Sequence, residues 1–189
     1  MTITLVAPPT GPESALRLRP WRSDDLSALV TAHRDPVLRR YLTRWLADEG
    51  AARQWLDEQD AGWAEKRRFS FAVLTGTEGN RPIGHVVVKC GSNGVAEVGY
   101  WTAVQARGRG IAARALETAT QWALGGQDLV SLTLLDLLHA EDNQASCRVA
   151  EKCGYVLLDV PAEPPAFPAG AHRHVRTPVA SGLIRTTHR

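Results

Sequence analysis

The 189-residue sequence predicts a mixed α/β (α+β) domain, with a mixed sheet that carries helices on both faces. Three observations carry this prediction. Apolar residues recur at three- and four-residue spacing over the first third of the chain and again after residue 110. Between those stretches, three apolar or alternating runs are separated by glycine-rich turns and read as a meander. After the second helical stretch the order becomes strand, helix, strand.

Residues 1–14 contain Pro8, Pro9, Gly11 and Pro12 and read as a flexible leader. Leu16, Leu18 and Pro20 alternate with Arg17 and Arg19 and form a short strand that ends at the proline. Ser23-Asp24-Asp25 caps a helix through Leu26, Leu29, Val30 and His33. Pro36 interrupts it, and a second helical piece covers residues 37–42. Asp48 and Glu49 open a longer helix in which Ala52, Trp55, Leu56, Gln59 and Trp63 share a face.

Residues 69–74 and 83–89 read as an antiparallel hairpin about the turn at 76–80, and 95–102 as the third strand of the meander. A loop at 105–110 leads into an amphipathic helix that stops at Gly125-Gly126. The nearly all-apolar residues 131–138 read as a strand buried on both faces. Asp142-Asn143 caps a short helix that ends at Gly154, and 155–160 is a further strand. A proline-rich loop (Pro161, Pro164, Pro165, Pro168) leads to a last strand at 172–177. Residues 15–180 are read as one domain and 181–189 as a flexible basic tail.

With 22 basic and 20 acidic residues, the formal net charge is +2. This gives no bulk electrostatic case for nucleic acid or an anionic membrane. The three cysteines, Cys90, Cys147 and Cys153, form no C-x-x-C pair and no zinc-like spacing, so no metal is expected. A sparse, odd count suits a reducing, cytoplasmic setting. No signal peptide and no run of membrane-spanning length is read.

The segment richest in chemistry is Gln105-Ala106-Arg107-Gly108-Arg109-Gly110-Ile111-Ala112, which passes from strand through a tight loop into a helix. A helix start leaves backbone N–H groups without partners and carries partial positive charge. Glycines let that backbone wrap an anion, and Arg107 and Arg109 add full charges beside it. The pattern fits a pyrophosphate. It equally fits a tight turn that glycine alone can make. It is neither the dinucleotide G-x-G-x-x-G, because Ala113 takes the third place, nor the nucleotide P-loop, because no G-K-[ST] follows.

Gln105-x-x-Gly108-x-Gly110 resembles the acyl-CoA loop of the GNAT acetyltransferase superfamily, [QR]-x-x-G-x-[GA]. The run from Asn143 to Tyr155, with Ser146 and Gly154, is similar to that superfamily's N-x-x-S…G-[FY] segment. Glu97-Val98-Gly99-Tyr100-Trp101 is similar to the preceding strand in the ribosomal-protein N-terminal acetyltransferase branch. The resemblance covers about residues 15–160. It implies a mostly antiparallel sheet of six to seven strands, splayed in the middle, with acetyl-CoA or another short acyl-CoA as co-substrate. Backbone of Trp101, Thr102 and Val104 would face the pantetheine arm. Amides of Arg107, Gly108, Arg109, Gly110, Ile111 and Ala112 would hold the pyrophosphate, and Asn143 would reach the thioester region or simply cap its helix.

The implied chemistry is direct attack of an amine on the thioester carbonyl in a ternary complex. Glu97 is the candidate base if it faces the cleft, where burial would raise its pKa; the alternative is a solvent-facing strand carboxylate. Ser146 is the candidate donor to the departing sulfur, or else a helix-surface hydroxyl. Tyr155 takes the G-[FY] place and is read as structural. Cys147 is read as a small buried side chain, and His139, His172 and His174 as loop or strand surface. Trp45, Trp55 and Trp63 either line the acceptor side or pack in the core. Lys66-Arg67-Arg68 is solvated charge. The last strand lacks the carboxylate that relatives in that branch often carry, which leaves the acceptor open between a protein N-terminus and a small amine. The non-catalytic alternative is a CoA-binding sensor or scaffold. No membrane or nucleic-acid partner is expected, and a homodimer is allowed.

Overall fold

The computed structural model describes residues 3–76, 80–158 and 170–178. Eight strands form one sheet: β1 (Leu5–Ala7), β2 (Leu16–Pro20), β3 (Arg68–Thr75), β4 (Gly84–Cys90), β5 (Val95–Thr102), β6 (Leu134–Ala140), β7 (Val156–Leu158) and β8 (Ala171–Arg176). Their order across the sheet is β1-β2-β3-β4-β5-β6-β8-β7. Every neighbouring pair is antiparallel except β5 and β6, which run parallel. A parallel pair needs a crossover, and helix α4 (Ile111–Gly125) supplies it. The helices before the meander are α1 (Leu26–His33), α2 (Pro36–Tyr41) and α3 (Glu49–Ala64), and α5 (Gln144–Lys152) precedes β7.

Local chemistry sets these limits. Asp35 accepts from the Val37 amide at 2.8 Å, and Asp48 accepts from Ala51 at 2.8 Å, so each carboxylate caps the helix that follows. Pro36 sits in the first turn of α2, where its missing N–H costs nothing. Gly154 follows α5 at φ +68°, a conformation that favours glycine.

The sheet divides the core in two. Ala96, Val98, Leu135 and Leu137 face α4 with Leu116, Ala119 and Trp122. Trp101, Ala72 and Leu74 face the other way, toward Trp21, Leu29 and Leu56 of the early helical region. Trp55 and Trp63 pack into these aromatic cores, whereas Trp45 is half exposed and lies beneath the Arg39 guanidinium. The buried Arg19–Asp25 pair, with bonds of 2.7 and 2.8 Å, ties the end of β2 to the 3-10 turn that opens α1.

Several expectations are corrected. Residues 5–7, read as part of a loose leader, form β1 and pair with β2, and this strand is what carries the count beyond seven. Ser23-Asp24-Asp25 forms a 3-10 turn ahead of α1 instead of a simple cap. The strand expected at 131–138 begins at Leu134, and its residues alternate between buried and half-buried. The proline-rich loop at 161–168 and the basic tail at 181–189 lie outside the described residues. Among the described residues, no helix is long and apolar enough to cross a membrane.

Candidate active site

β5 and β6 pair only from Val95 opposite Leu134 to Val98 opposite Leu137. Beyond that point β5 continues to pair with β4 as far as Thr102, and β6 with β8 as far as Ala140. The two strands therefore part. Their facing edges, 99–102 and 138–140, are left without a strand partner across the gap. A cleft of about 750 Å³ occupies this opening, bounded by β5, β6, the start of α4, the start of α5 and residues of α2. Unpaired strand edges can satisfy the backbone of an extended ligand, as a neighbouring strand would.

The loop between β5 and α4 forms one end of the cleft. Gly108 and Gly110 have φ of +77° and +68°, and a Cβ built on either would meet no atom within 4 Å. Packing does not demand glycine at these positions. The backbone conformation does, and the space above both glycines is open. Gly110 stands at the N-cap of α4, and no side chain caps that helix. The first amides of α4 are thus available to an anion.

The two loop arginines are placed differently from the sequence expectation. Arg107 forms an ion pair with Asp35 and donates to the Thr102 carbonyl at 3.2 Å. Arg109 donates to Glu13 at 3.0 Å. Arg114, one turn into α4, donates to the carbonyls of Pro8 at 2.7 Å and Ser14 at 2.8 Å. These side chains anchor the loop to neighbouring segments. Val104 is 65% exposed, and neither it nor Arg109 lines the cleft. Trp101, Thr102, Arg107, Gly108, Gly110, Ile111, Ala112, Asn143, Ser146 and Glu97 all do.

Opposite the loop, Asn143 accepts from the Ser146 amide at 3.3 Å and caps α5 while lining the cleft. Ser146 is buried, and its hydroxyl lies 2.6 Å from the Tyr100 hydroxyl of β5. Burial pushes the Tyr100 phenol up to about 12, against the opposing effect of the Ser146 hydrogen bond. Tyr100 is therefore a protonated donor at neutral pH. Sequence reasoning missed it. The available signal was strand alternation, which puts Tyr100 on the opposite face of β5 from Glu97 and hence toward α5.

Glu97 lies before the parting, within the paired part of β5, opposite Lys89 of β4, with which it forms an ion pair. Its side chain is about half exposed, so the burial that the sequence reading supposed is absent. Tyr155 exchanges a 2.6 Å hydrogen bond with Thr120 in the core beneath α4, away from the cleft. Cys147 is buried, but not as an isolated small side chain. It meets His139, His172 and His174, which the sequence reading placed on the surface and which the fold gathers at the side of the cleft, with His139 lining it.

The family model for the acetyltransferase (GNAT) domain matches residues 15–156. The chain belongs to the GNAT acetyltransferase domain family. No curated protein sequence gives a significant match. Solved structures give the same fold at low identity. One is the acetyl transferase from Salmonella typhimurium that modifies the N-terminal serine of a 50S ribosomal subunit protein, with TM-score 0.75, 18% identity and coverage of 94% of this chain and 100% of that one. A second is Mycobacterium smegmatis RimJ in complex with a CoA-disulfide, with TM-score 0.72, 19% identity and coverage of 97% and 89%. A third is the microcin C7 self-immunity acetyltransferase MccE in complex with acetyl-CoA and AMP, with TM-score 0.73, 15% identity and coverage of 88% and 93%. In this GNAT acetyltransferase the parted strands and the glycine loop are the two features from which a functional reading starts.

Proposed function

We propose that the protein is an N-acetyltransferase that moves an acetyl group from acetyl-CoA to a primary amine, either a protein N-terminus or a small-molecule amine. The observation that carries this reading is the end of the β5–β6 ladder at Val98–Leu137, beside an uncapped α4 start and around the Tyr100–Ser146 pair. The open edges of 99–102 and 138–140 suit a pantetheine arm, which needs amide partners along its length. The amides at 108–112 suit the pyrophosphate, whereas that of Arg107 already donates to the Val104 carbonyl. Solved structures of the same fold with CoA and acetyl-CoA bound support that co-substrate.

Binding energy and proximity supply much of the rate in a direct transfer. The amine nitrogen forms its bond to the carbonyl carbon, and the carbon–sulfur bond breaks with the electron pair leaving on sulfur. Open backbone N–H groups on the β5 edge stabilise the developing oxyanion. Tyr100, held protonated, donates a hydrogen bond to the departing thiolate, with Ser146 orienting the phenol. The neutral amine attacks, and the proton its nitrogen sheds once bonded to the carbonyl carbon passes through water to Glu97, which lines the cleft from the opposite face of the strand. Half exposed and ion-paired with Lys89, Glu97 takes that role only through solvent and is a modest contributor.

A non-catalytic sensor needs no acceptor opening. The cleft here reaches the Tyr100–Ser146 pair and is bounded on one side by residues of α2, which favours an enzyme. The test is thiol release from acetyl-CoA and succinyl-CoA against a panel of amines and N-terminal peptides. Turnover with acetyl-CoA and at least one primary amine is expected. Tight CoA binding by calorimetry with no thiol release across the panel would favour the sensor, and absence of CoA binding would end both readings.

A further inference from the structure

At the β6–α5 side of the cleft, which His139 lines, three imidazoles and a thiol converge from three elements. His139 lies on β6, His172 and His174 on β8, and Cys147 on α5. His139 stands directly opposite His172 in the antiparallel register, and His174 opposite Leu137, so strand alternation turns all three rings to the α5 face. One ligand atom from each of the four residues lies within 4.8 Å of all the others. His139 Nε2 is 3.6 Å from Cys147 Sγ, and His172 Nδ1 is 3.1 Å from it. A zinc ion with bonds of about 2.3 Å to sulfur and about 2.0–2.1 Å to nitrogen sets tetrahedral sulfur-to-nitrogen edges near about 3.6 Å. The cluster already has nearly those dimensions.

Hydrogen bonding within the protein does not account for the cluster. The His139 Nδ1–H donates to the Ala140 carbonyl at 2.8 Å, which fixes the tautomer and aims the Nε2 lone pair at Cys147. That is the outer-shell arrangement that metal-ligating histidines use. His174 is fully buried, and neither of its ring nitrogens has a hydrogen-bond partner among the described residues. A buried imidazole offers a donor and an acceptor, and leaving both unmade is costly. A metal bond to one nitrogen removes much of that cost.

We propose that His139, Cys147, His172 and His174 bind one zinc ion in a closed, four-coordinate site of three imidazole nitrogens and one thiolate sulfur. Binding converts the Cys147 thiol to thiolate and releases its proton to solvent. A set of four protein ligands leaves no open position, so the ion is structural. It would clamp α5 and β8 to β6, and thereby hold Ser146, the residue before Cys147, in the cleft. The site takes no part in the acyl transfer proposed above and can be tested without it.

The experiment uses the full chain, stripped with a chelator, dialysed, and titrated with cobalt(II) and then zinc(II). The expected result is one metal per chain by elemental analysis. The cobalt form should show intense visible d–d bands of a tetrahedral ion and a near-ultraviolet thiolate-to-cobalt charge-transfer band, both displaced by zinc. Cys147→Ser should abolish the charge-transfer band and weaken zinc binding by at least about tenfold. Zinc should raise the melting temperature of the wild type and not of Cys147→Ser. His174→Gln should weaken the visible bands. If that variant does not fold, His172→Gln, at the less buried ligand, gives the same reading. A wild-type chain that retains almost no metal, a cobalt spectrum of the six-coordinate aquo type, or an unchanged spectrum and affinity in Cys147→Ser would overturn the proposal.

Discussion

The seam between β5 and β6 has two halves of similar length and opposite character. Over 95–98 it is a closed parallel ladder, with Val98 and Leu137 opposed and buried against α4. Over 99–102 the same strand faces open space, although its other edge remains bonded to β4. One strand is thus bonded on both edges for half its length and on one edge for the rest. The open half still buries Trp101 against Trp21 and Leu56, so the two halves differ in the backbone edge toward β6 and not in whether their side chains join a core.

The largest effect that tests this division is in the closed half. Leu135→Ala, at a fully buried position opposite Ala96 and away from the cleft, should cost about 2–5 kcal/mol of stability in denaturant unfolding and change CoA affinity little. A large loss of affinity without a loss of stability would break the comparison. In the open half, Gly108→Trp should reduce CoA affinity by about a hundredfold or more in calorimetry, equivalent to about 2.7 kcal/mol. The folded state should survive, since the space above Gly108 is empty, though the positive φ makes some strain unavoidable.

Tyr100→Phe should then lower kcat by roughly ten- to a hundredfold with KM for acetyl-CoA nearly unchanged. A shift in KM alone would move Tyr100 from leaving-group stabilisation to binding.

A control lies on the far face of the sheet. Burial pushes His33 down to about 4 and His85 down to about 3 from an ordinary 6.5. Both rings accept a hydrogen bond at Nδ1, His33 from the Leu46 amide at 3.4 Å and His85 from the Trp21 indole at 3.0 Å. Each is therefore held neutral. The unfolded chain takes up protons below about pH 6.5 and the folded chain does not, so stability is complete above that pH and declines as pH falls toward about 4. The loss should be on the order of 3 kcal/mol per ring by about pH 4, with His33→Gln flattening part of the slope. The smallest effect is expected at Glu97. Glu97→Gln should reduce turnover by less than about tenfold, since water can replace an exposed base.

Much of this was legible in the sequence, for identifiable reasons. β5 and α4 were bounded well because a glycine turn precedes the strand, a glycine loop joins it to the helix, and Gly125-Gly126 ends the helix. β1 was hidden by the prolines and glycine just after it, since a three-residue strand is too short to show alternation. The loop glycines could be read as an anion nest, but the partners of Arg107 and Arg109 could not. Asp35 and Glu13 lie 72 and 96 residues away in the chain. The histidine cluster was half visible. His172 and His174 two apart on a strand share a face, but His139 and Cys147 reach them only through the β6–β8 register and the docking of α5.

The three contacts from Arg109 and Arg114 to Glu13, Pro8 and Ser14 mean that the glycine turn is partly upholstered by residues 8–14. A version in which Glu13 and Arg114 were replaced by alanine would keep β1, the glycines and the gap, yet its turn would hang slack. Each arriving diphosphate would then have to organise the turn itself, so the doubly substituted enzyme would be distinguished by slow capture rather than by altered chemistry.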